Sequence, residues 1–185
     1  SNISSSDRCL EMCCGSGQGL AILESNSQSL VAIDITENLV QQAKNVVDSA
    51  QVLTSDAISF LKSCQNSSFD KIILFEALYY FNDLETLLQL LVDKLAVGGK
   101  IMISSPNPSL KTFNKSLHSF AYPQGVDFFD RYLQAYDIDV RCFGASFPSL
   151  SLISRFKKFL KYCAVKYNLI PNTMRAKRVI KRLFV

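Results

Sequence analysis

The feature that most constrains the fold of this chain is a glycine-rich turn close to its first residue. The turn carries Gly15, Gly17 and Gly19, and it follows an apolar segment whose one acid is Glu11. Glycines let the backbone turn tightly and approach a ligand, and a following helix presents free N–H groups at the carboxyl edge of a strand. The dinucleotide fingerprint needs a glycine at its sixth position, which is Leu20 here. The turn therefore predicts a nucleotide pocket in a parallel sheet, without the dehydrogenase signature.

Short apolar segments alternate with helical patterns along the rest of the chain, which is typical of a parallel sheet covered by helices on both faces. Strands after the first are predicted over residues 30–33, 51–54, 71–75, 100–104 and 137–145. Residues 178–185 suit either a last, antiparallel strand or the end of a basic helix. The sequence predicts an α/β fold with a doubly wound, mostly parallel seven-stranded sheet. One domain over 1–185 is expected, with a cofactor-binding half (1–108) and an acceptor-side half (109–185).

Local signals within this pattern predict three details. Thr36 is a plausible N-cap for a helix after the second strand. A leucine stripe over residues 84–95 predicts an amphipathic helix that Gly98 and Gly99 end. Cys13 and Cys14 are expected to point to opposite faces of the first strand.

Composition excludes several classes of protein. Apolar runs fall far short of the roughly 20 residues that span a bilayer, and the polar start does not have the pattern of a secretory signal. The cysteines form no C-x-x-C pair, and His118 is the only histidine, so no metal site is predicted. Reduced thiols and a cytoplasmic location are expected.

The net charge of +4 hides a strong asymmetry along the chain. Residues 1–139 carry all 16 acidic residues, whereas residues 140–185 carry 11 of the 20 basic residues and no acid. Apolar residues at helical spacing over 152–167 alternate with lysines, which predicts a basic amphipathic helix. Residues 150–185 are therefore expected to contact an anionic partner, such as the surface of a membrane. The alternative is a helix that covers the sheet and leaves its lysines in solvent.

The glycine-rich segment resembles motif I of the class I S-adenosylmethionine-dependent methyltransferases, in particular the type 11 methyltransferase domain. Glu11, Cys13, Gly15 and Gly17 fall on the four defining positions, and Cys13 stands where the family usually has glycine. Four further landmarks follow in the family's order, before or after the predicted strands. The resemblance implies S-adenosylmethionine as cofactor, S-adenosylhomocysteine as product, and these cofactor-binding residues: Glu11, Cys13, Gly15, Ser16, Gly17, Asp34, Ile35, Ser55, Asp56, Ala57 and Phe75.

Individual roles follow from the same resemblance. Asp34 matches the acid that binds the ribose hydroxyls, and a carboxylate can accept two hydrogen bonds from neighbouring hydroxyls. Asp56 matches the acid that meets the adenine amino group. The alternative role for Asp34, and likewise for Asp56, is that of a turn or cap residue. Methyl transfer needs mainly alignment of two ligands, so a catalytic base is not required. Glu76 and His118 are the candidates if an acceptor must lose a proton.

The sequence indicates the identity of the methyl acceptor less closely than that of the cofactor. Residues 75–78 do not have the acid or asparagine with two prolines and an aromatic residue that is usual in methyltransferases of nucleobase amines, whereas residues 103–108 look like enzymes that act on quinone, lipid or glycan precursors. Methyl transfer to a small-molecule or lipid- or glycan-linked acceptor is therefore expected. Two alternatives stay open: an RNA methyltransferase that holds phosphates with its basic region, and a catalytically silent domain that serves as an interaction module.

Overall fold

A computed structural model of the protein describes residues 3–106 and Phe129. Within this part, five strands alternate with helices. The strands are β1 (Arg8–Met12), β2 (Ser29–Asp34), β3 (Gln51–Thr54), β4 (Phe69–Phe75) and β5 (Leu95–Ser104). The helices are α1 (Leu20–Asn26), α2 (Glu37–Lys44), α3 (Ala57–Ser63) and α4 (Leu84–Lys94), with a 3₁₀ turn at Leu78–Tyr80.

The five strands form one parallel sheet in the order β3-β2-β1-β4-β5. The chain first winds outward from β1 to β3 and then crosses to the other side of β1, where it continues with β4 and β5. Ligands bind at such a reversal of strand order, outside the carboxyl ends of the strands. The prediction of a doubly wound α/β fold is confirmed; the predicted strands at 137–145 and 178–185, and the division into halves, lie beyond the described ranges.

The sheet is buried on both faces because its central strands are almost wholly apolar. Leu10 and Met12 of β1 are completely buried, and so is Leu74 of β4. Alternate residues of the strands meet helix residues such as Leu20 and Val40, which form one continuous core. The central strands therefore hold their carboxyl ends rigidly at one edge of the sheet.

The opposite, amino edge of the sheet is held by ion pairs. Lys71 Nζ lies 3.0 Å from Asp7 Oδ1, and Arg8 Nε lies 2.9 Å from Asp70 Oδ2. The Arg8 guanidinium holds the pKa of Asp70 at about 2 by donating hydrogen bonds to its carboxylate. These pairs join the starts of β1 and β4, so they belong to the scaffold.

The end of α4 differs from the prediction. α4 ends at Lys94 and β5 begins at the next residue, so Gly98 and Gly99 do not cap the helix. They lie in an irregular part of β5, where pairing with β4 shifts from Phe69↔Leu95 to Lys71↔Lys100. Gly98 has φ +75°, a conformation that glycine adopts without strain. A glycine pair suits either a helix end or a bulge, and pairing with β4 decides between them.

The prediction for the two adjacent cysteines is also wrong. β1 ends at Met12 and Cys13 has φ +55°, so the alternation of a strand does not continue through Cys13 and Cys14. Cys14 is buried in the core, whereas Cys13 is half-buried. Thr36 does occupy the N-cap position of α2, but its side chain makes no capping hydrogen bond.

No helix within residues 3–106 is long and apolar enough to cross a membrane.

Candidate functional site

Four carboxylates lie where the strands of the sheet end. Glu11 is close to the end of β1, Asp34 ends β2, Asp56 follows β3 and Glu76 follows β4. Because the strands are parallel, their carboxyl ends meet at one edge, and acids that are distant in sequence gather there. The predicted site residues therefore share this edge, while His118 lies outside the described residues.

The glycine turn after β1 is tightly packed on one side and open on the other. Gly17 has φ +81°, and a Cβ added there would lie 2.9 Å from Val46 Cγ2 and 3.0 Å from Ala43 Cα. Gly15 has φ +56°, and a Cβ added there would meet nothing within 4 Å. Gly17 is therefore required by packing against the end of α2, whereas Gly15 faces space that a ligand can use.

Asp34 braces this turn. Its Oδ2 accepts a hydrogen bond of 2.9 Å from the N–H of Gly15, and its Oδ1 accepts one of 2.8 Å from the N–H of Thr36. One carboxylate thereby ties the glycine turn to the start of α2. Each oxygen retains a further lone pair, so binding of ribose hydroxyls is compatible with this geometry and stays a prediction. This bracing role agrees with the alternative of a turn residue that the sequence leaves open for Asp34, since an acid between a strand end and a helix start often accepts such bonds.

Glu11 is the buried acid of the site. Its residue is 8% exposed, and Oε2 has no hydrogen-bond partner among the described residues. Burial raises the pKa of Glu11 to about 7. A Cβ added at Gly19 would lie 3.8 Å from both carboxylate oxygens, so Glu11 lies beneath the glycine turn. An unpaired buried carboxylate is costly, and a cationic ligand group would compensate it.

Cys13 occupies a backbone position that favours glycine. Burial raises the pKa of its thiol to about 12, and the nearby charges of Asp34 and Asp56 act in the same direction. The thiol therefore lies close to both carboxylates and stays neutral. Cys14 has the same raised pKa, about 12, mainly because it is buried. Neither thiol is an activated nucleophile.

Asp56 is the N-cap of α3. Its Oδ1 accepts a hydrogen bond of 2.8 Å from the N–H of Ser59, and this bond lowers the pKa of Asp56. Ser55 precedes it and donates its N–H to the carbonyl oxygen of Asp34 at 2.9 Å. Ala57, the first residue of α3, is buried. The capping role of Asp56 is thus visible, and its contact with an adenine amino group stays a prediction.

Two predicted cofactor residues present apolar side chains to solvent at this edge. Ile35 is 71% exposed directly after β2, and Phe75 is 51% exposed at the end of β4. Exposed side chains of this size are costly to hydrate, and a ligand that covers them contributes binding free energy. Ser16, in the glycine turn, is half-buried. The contacts of these residues with a cofactor stay predictions.

Glu76 leaves β4 in an unusual backbone conformation and is held by β5. Its φ is +53°, and its N–H donates to the carbonyl oxygen of Ser104 at 2.9 Å. The Ser104 hydroxyl donates to Glu76 Oε1 at 2.6 Å. Sequence reasoning missed Ser104, whose only signal was its place at the end of a predicted strand. Between residues 3 and 106, no group of histidine, cysteine or acidic residues is arranged to hold a metal ion.

A comparison with known protein families shows to which family the chain belongs. A family model described as a methyltransferase domain matches residues 2–159. The chain belongs to this methyltransferase family. The resemblance to class I methyltransferases is thereby confirmed.

Solved structures agree in fold. A SAM-dependent methyltransferase from Archaeoglobus fulgidus is similar over 88% of this chain and 80% of its own, with 19% identity and a TM-score of 0.62. The YcgJ protein from Bacillus subtilis matches over 72% of this chain and 62% of its own, with 18% identity and a TM-score of 0.62. A putative methyltransferase from Bacillus halodurans matches over 72% and 63%, with 15% identity and a TM-score of 0.62.

These likenesses show the fold alone, because the identities are low. The chain spans less than two thirds of the length of the two Bacillus proteins. No curated protein was found to match the sequence.

Proposed function

We propose that this chain binds S-adenosylmethionine at the carboxyl ends of β1, β2 and β3 and transfers its methyl group to a small-molecule or lipid- or glycan-linked acceptor. The observation that carries the proposal is the Glu11 carboxylate, which is buried and has an oxygen without a hydrogen-bond partner in the described part of the chain. A group of this kind is tolerated where a ligand supplies the missing partner. The three neighbouring strand ends supply the remaining polar groups.

The residues of this edge fit the chemistry of the cofactor. Glu11 would hold a cationic group of the methionine part, and Asp34 would accept hydrogen bonds from ribose hydroxyls while it braces the turn. The open side of Gly15 leaves room for a ligand to approach the backbone. Cys13 adds a side chain where glycine is usual in the family. Its thiol lies close to the carboxylates of Asp34 and Asp56 and stays neutral.

The reaction requires alignment more than acid or base chemistry. Bound S-adenosylmethionine supplies an electrophilic methyl group on a positively charged sulfur. Glu11 and Asp34 would hold the cofactor, and its methyl carbon would be the one that an acceptor attacks opposite to the sulfur. Most of the acceleration comes from holding the two ligands in line and away from water. The rigid strand ends provide this alignment, since the glycine turn and Asp34 fix one ligand and β4 ends beside it.

The acceptor side of the proposal depends on the sequence beyond the described residues. Residues 140–185 carry 11 basic residues and no acidic one. A basic segment with interspersed apolar residues suits an anionic lipid surface or a phosphate-bearing, lipid-linked acceptor. We therefore include peripheral contact with an anionic membrane through residues 150–185, on the cytoplasmic side, in the proposal.

Isothermal titration calorimetry with S-adenosylmethionine and S-adenosylhomocysteine tests the cofactor site. The informative variant is Glu11→Gln, because Asp34→Ala would also remove the hydrogen bonds that brace the glycine turn. Micromolar binding to the wild-type chain is expected. A loss of roughly tenfold or more in Glu11→Gln corresponds to one charge-assisted hydrogen bond.

Asp48→Asn serves as the control, since Asp48 is exposed in the loop that enters β3 from the opposite edge of the sheet. Its affinity should equal that of the wild type. Absence of binding to the folded wild-type chain would overturn the proposal and favour a silent interaction module. Equal affinities of the wild type and Glu11→Gln would show that Glu11 does not face the cofactor.

A further inference from the structure

The edge of the sheet divides into two parts with different chemistry. The predicted cofactor residues Glu11, Asp34 and Asp56 belong to β1, β2 and β3, whereas Glu76 and Ser104 lie at the ends of β4 and β5. The order of the strands puts β4 directly beside β1. A second ligand, lying next to the cofactor, would therefore meet the ends of β4 and β5.

Glu76 is held in place more firmly than an exposed glutamate needs to be. It is anchored by its backbone N–H and by its Oε1, both of which bond to Ser104. Its left-handed backbone conformation costs about 1–2 kcal/mol in a residue other than glycine. The two residues that follow, Ala77 and Leu78, are buried. Their packing restrains the backbone of Glu76 on its C-terminal side. Glu76 is exposed, and its Oε2 makes no hydrogen bond to the described residues, so this oxygen is left to accept one from a ligand.

Aromatic residues both precede and follow Glu76 in the sequence. Phe75 precedes it and is 51% exposed, and Tyr80, in the 3₁₀ turn that follows, is 59% exposed. The rings of Tyr79 and Tyr80 pack with centroids 4.6 Å apart. An ordered carboxylate combined with exposed aromatic rings suits a positively charged amine, which pairs with the carboxylate and is attracted to the ring faces.

We propose that Glu76, positioned by Ser104, is the acceptor subsite of this chain and that it recognises a protonated amine. Glu76 would touch the acceptor, and Ser104 is a positioning residue that acts through it. A protonated amine has no lone pair, so its nitrogen would accept a methyl group only after one proton has passed to the Glu76 carboxylate. A carboxylate at this point repels acceptors that present a carboxylate of their own. The inference rests on the proposed function, because it assigns the second ligand of the same site.

Three probes of nearly equal shape test the inference: benzylamine, benzyl alcohol and benzoate. Their dissociation constants are measured by ligand-observed NMR at pH 7.5 with the chain saturated by S-adenosylhomocysteine. We expect benzylamine to bind more tightly than benzyl alcohol and benzoate to bind least. In Glu76→Gln, which keeps an oxygen for the Ser104 hydroxyl, benzylamine should bind about fivefold more weakly, the scale of an exposed ion pair.

The positioning role of Ser104 is tested by comparing a substitution that removes its hydroxyl with one that keeps it. Ser104→Ala should reduce the preference for benzylamine over benzyl alcohol by roughly half, and Ser104→Thr should restore it, because threonine keeps the hydroxyl. The affinity for S-adenosylhomocysteine should be unchanged in all three variants, which a general loss of structure would not allow.

The two proposals fail differently. If S-adenosylhomocysteine does not bind to the wild type, the proposed function is wrong. If it binds but benzylamine does not bind, or binds no better than benzyl alcohol or benzoate, the amine subsite is overturned. An unchanged benzylamine affinity in Glu76→Gln overturns it as well.

Discussion

Replacement of the buried acid Glu11 by glutamine is expected to stabilise the ligand-free protein, and only above a certain pH. Burial raises the pKa of Glu11 from 4.5 to about 7. Below pH 4.5 the carboxyl is protonated in the folded and unfolded states alike, and its ionisation does not affect the free energy of unfolding. Between pH 4.5 and 7 the Glu11 carboxyl loses its proton in the unfolded chain but keeps it in the folded chain. The free energy of unfolding of the wild-type protein therefore falls as the pH rises. Above pH 7 the loss is complete.

The magnitude follows from the size of the pKa change. A rise from 4.5 to about 7 corresponds to roughly 3 kcal/mol between the two charge states. Glutamine has nearly the same shape and cannot ionise, so Glu11→Gln avoids this loss. Its buried amide has its own cost, which does not vary with pH. The difference in unfolding free energy between Glu11→Gln and the wild type should therefore grow by about 3 kcal/mol from pH 4.5 to pH 8.

Urea denaturation of both proteins between pH 4.5 and 9 measures this difference. Asp70→Asn is a matched control, because Arg8 lowers the pKa of Asp70 to about 2. Asp70 stabilises the fold above its unfolded pKa of 3.8, and this stabilisation is lost only as the pH falls towards 2. Asp70→Asn should therefore be destabilised by the same amount throughout pH 5–9. Parallel pH profiles for the wild type and Glu11→Gln would refute the reasoning.

The remaining predictions concern the glycine turn and the basic region. Gly17→Ala should lower the free energy of unfolding by about 2–4 kcal/mol in urea denaturation, since its Cβ would approach Val46 Cγ2 to 2.9 Å at φ +81°; a loss below 1 kcal/mol would contradict the packing. Gly15→Ala should cost only about 1 kcal/mol, for its φ of +56°, yet weaken S-adenosylhomocysteine binding in calorimetry; unchanged affinity would show that its open side does not face the cofactor. Cys13→Gly relieves a φ of +55° and should change stability by less than about 1 kcal/mol while keeping cofactor affinity; a tenfold loss of affinity would show that the thiol contributes to binding. The full chain should co-sediment with vesicles that contain anionic phospholipid and not with neutral vesicles, with binding reduced by salt; removal of residues 150–185 should abolish this, and equal binding to neutral vesicles would refute it.

Much of the fold was predictable because it depends on local composition. The predicted strand over residues 51–54 agrees in both bounds with β3, and the strand predicted over 71–75 lies within β4. Strands buried on both faces must be apolar throughout, so they stand out against the amphipathic helices between them. The three acids Glu11, Asp34 and Asp56 were placed correctly at strand ends for the same reason.

Other features depend on which strands pair and in which register. The bulge in β5 at Gly98 and the contact between Ser104 and Glu76 both arise from the pairing of β5 with β4. Neither sequence segment contains a sign of the other, because the residues are separated by a whole helix.

The sequence by itself determined an α/β methyltransferase fold and the order of the acids along it, since strand composition and the glycine turn are local properties. Only the tertiary structure decided what each acid does. Asp34 braces the turn, Asp56 caps α3 and Asp70 pairs with Arg8, whereas Glu11 has an oxygen without a partner in the described part of the protein. These are residues of one chemical type, and their roles differ because burial and neighbouring donors are set by strands and helices that meet through the fold.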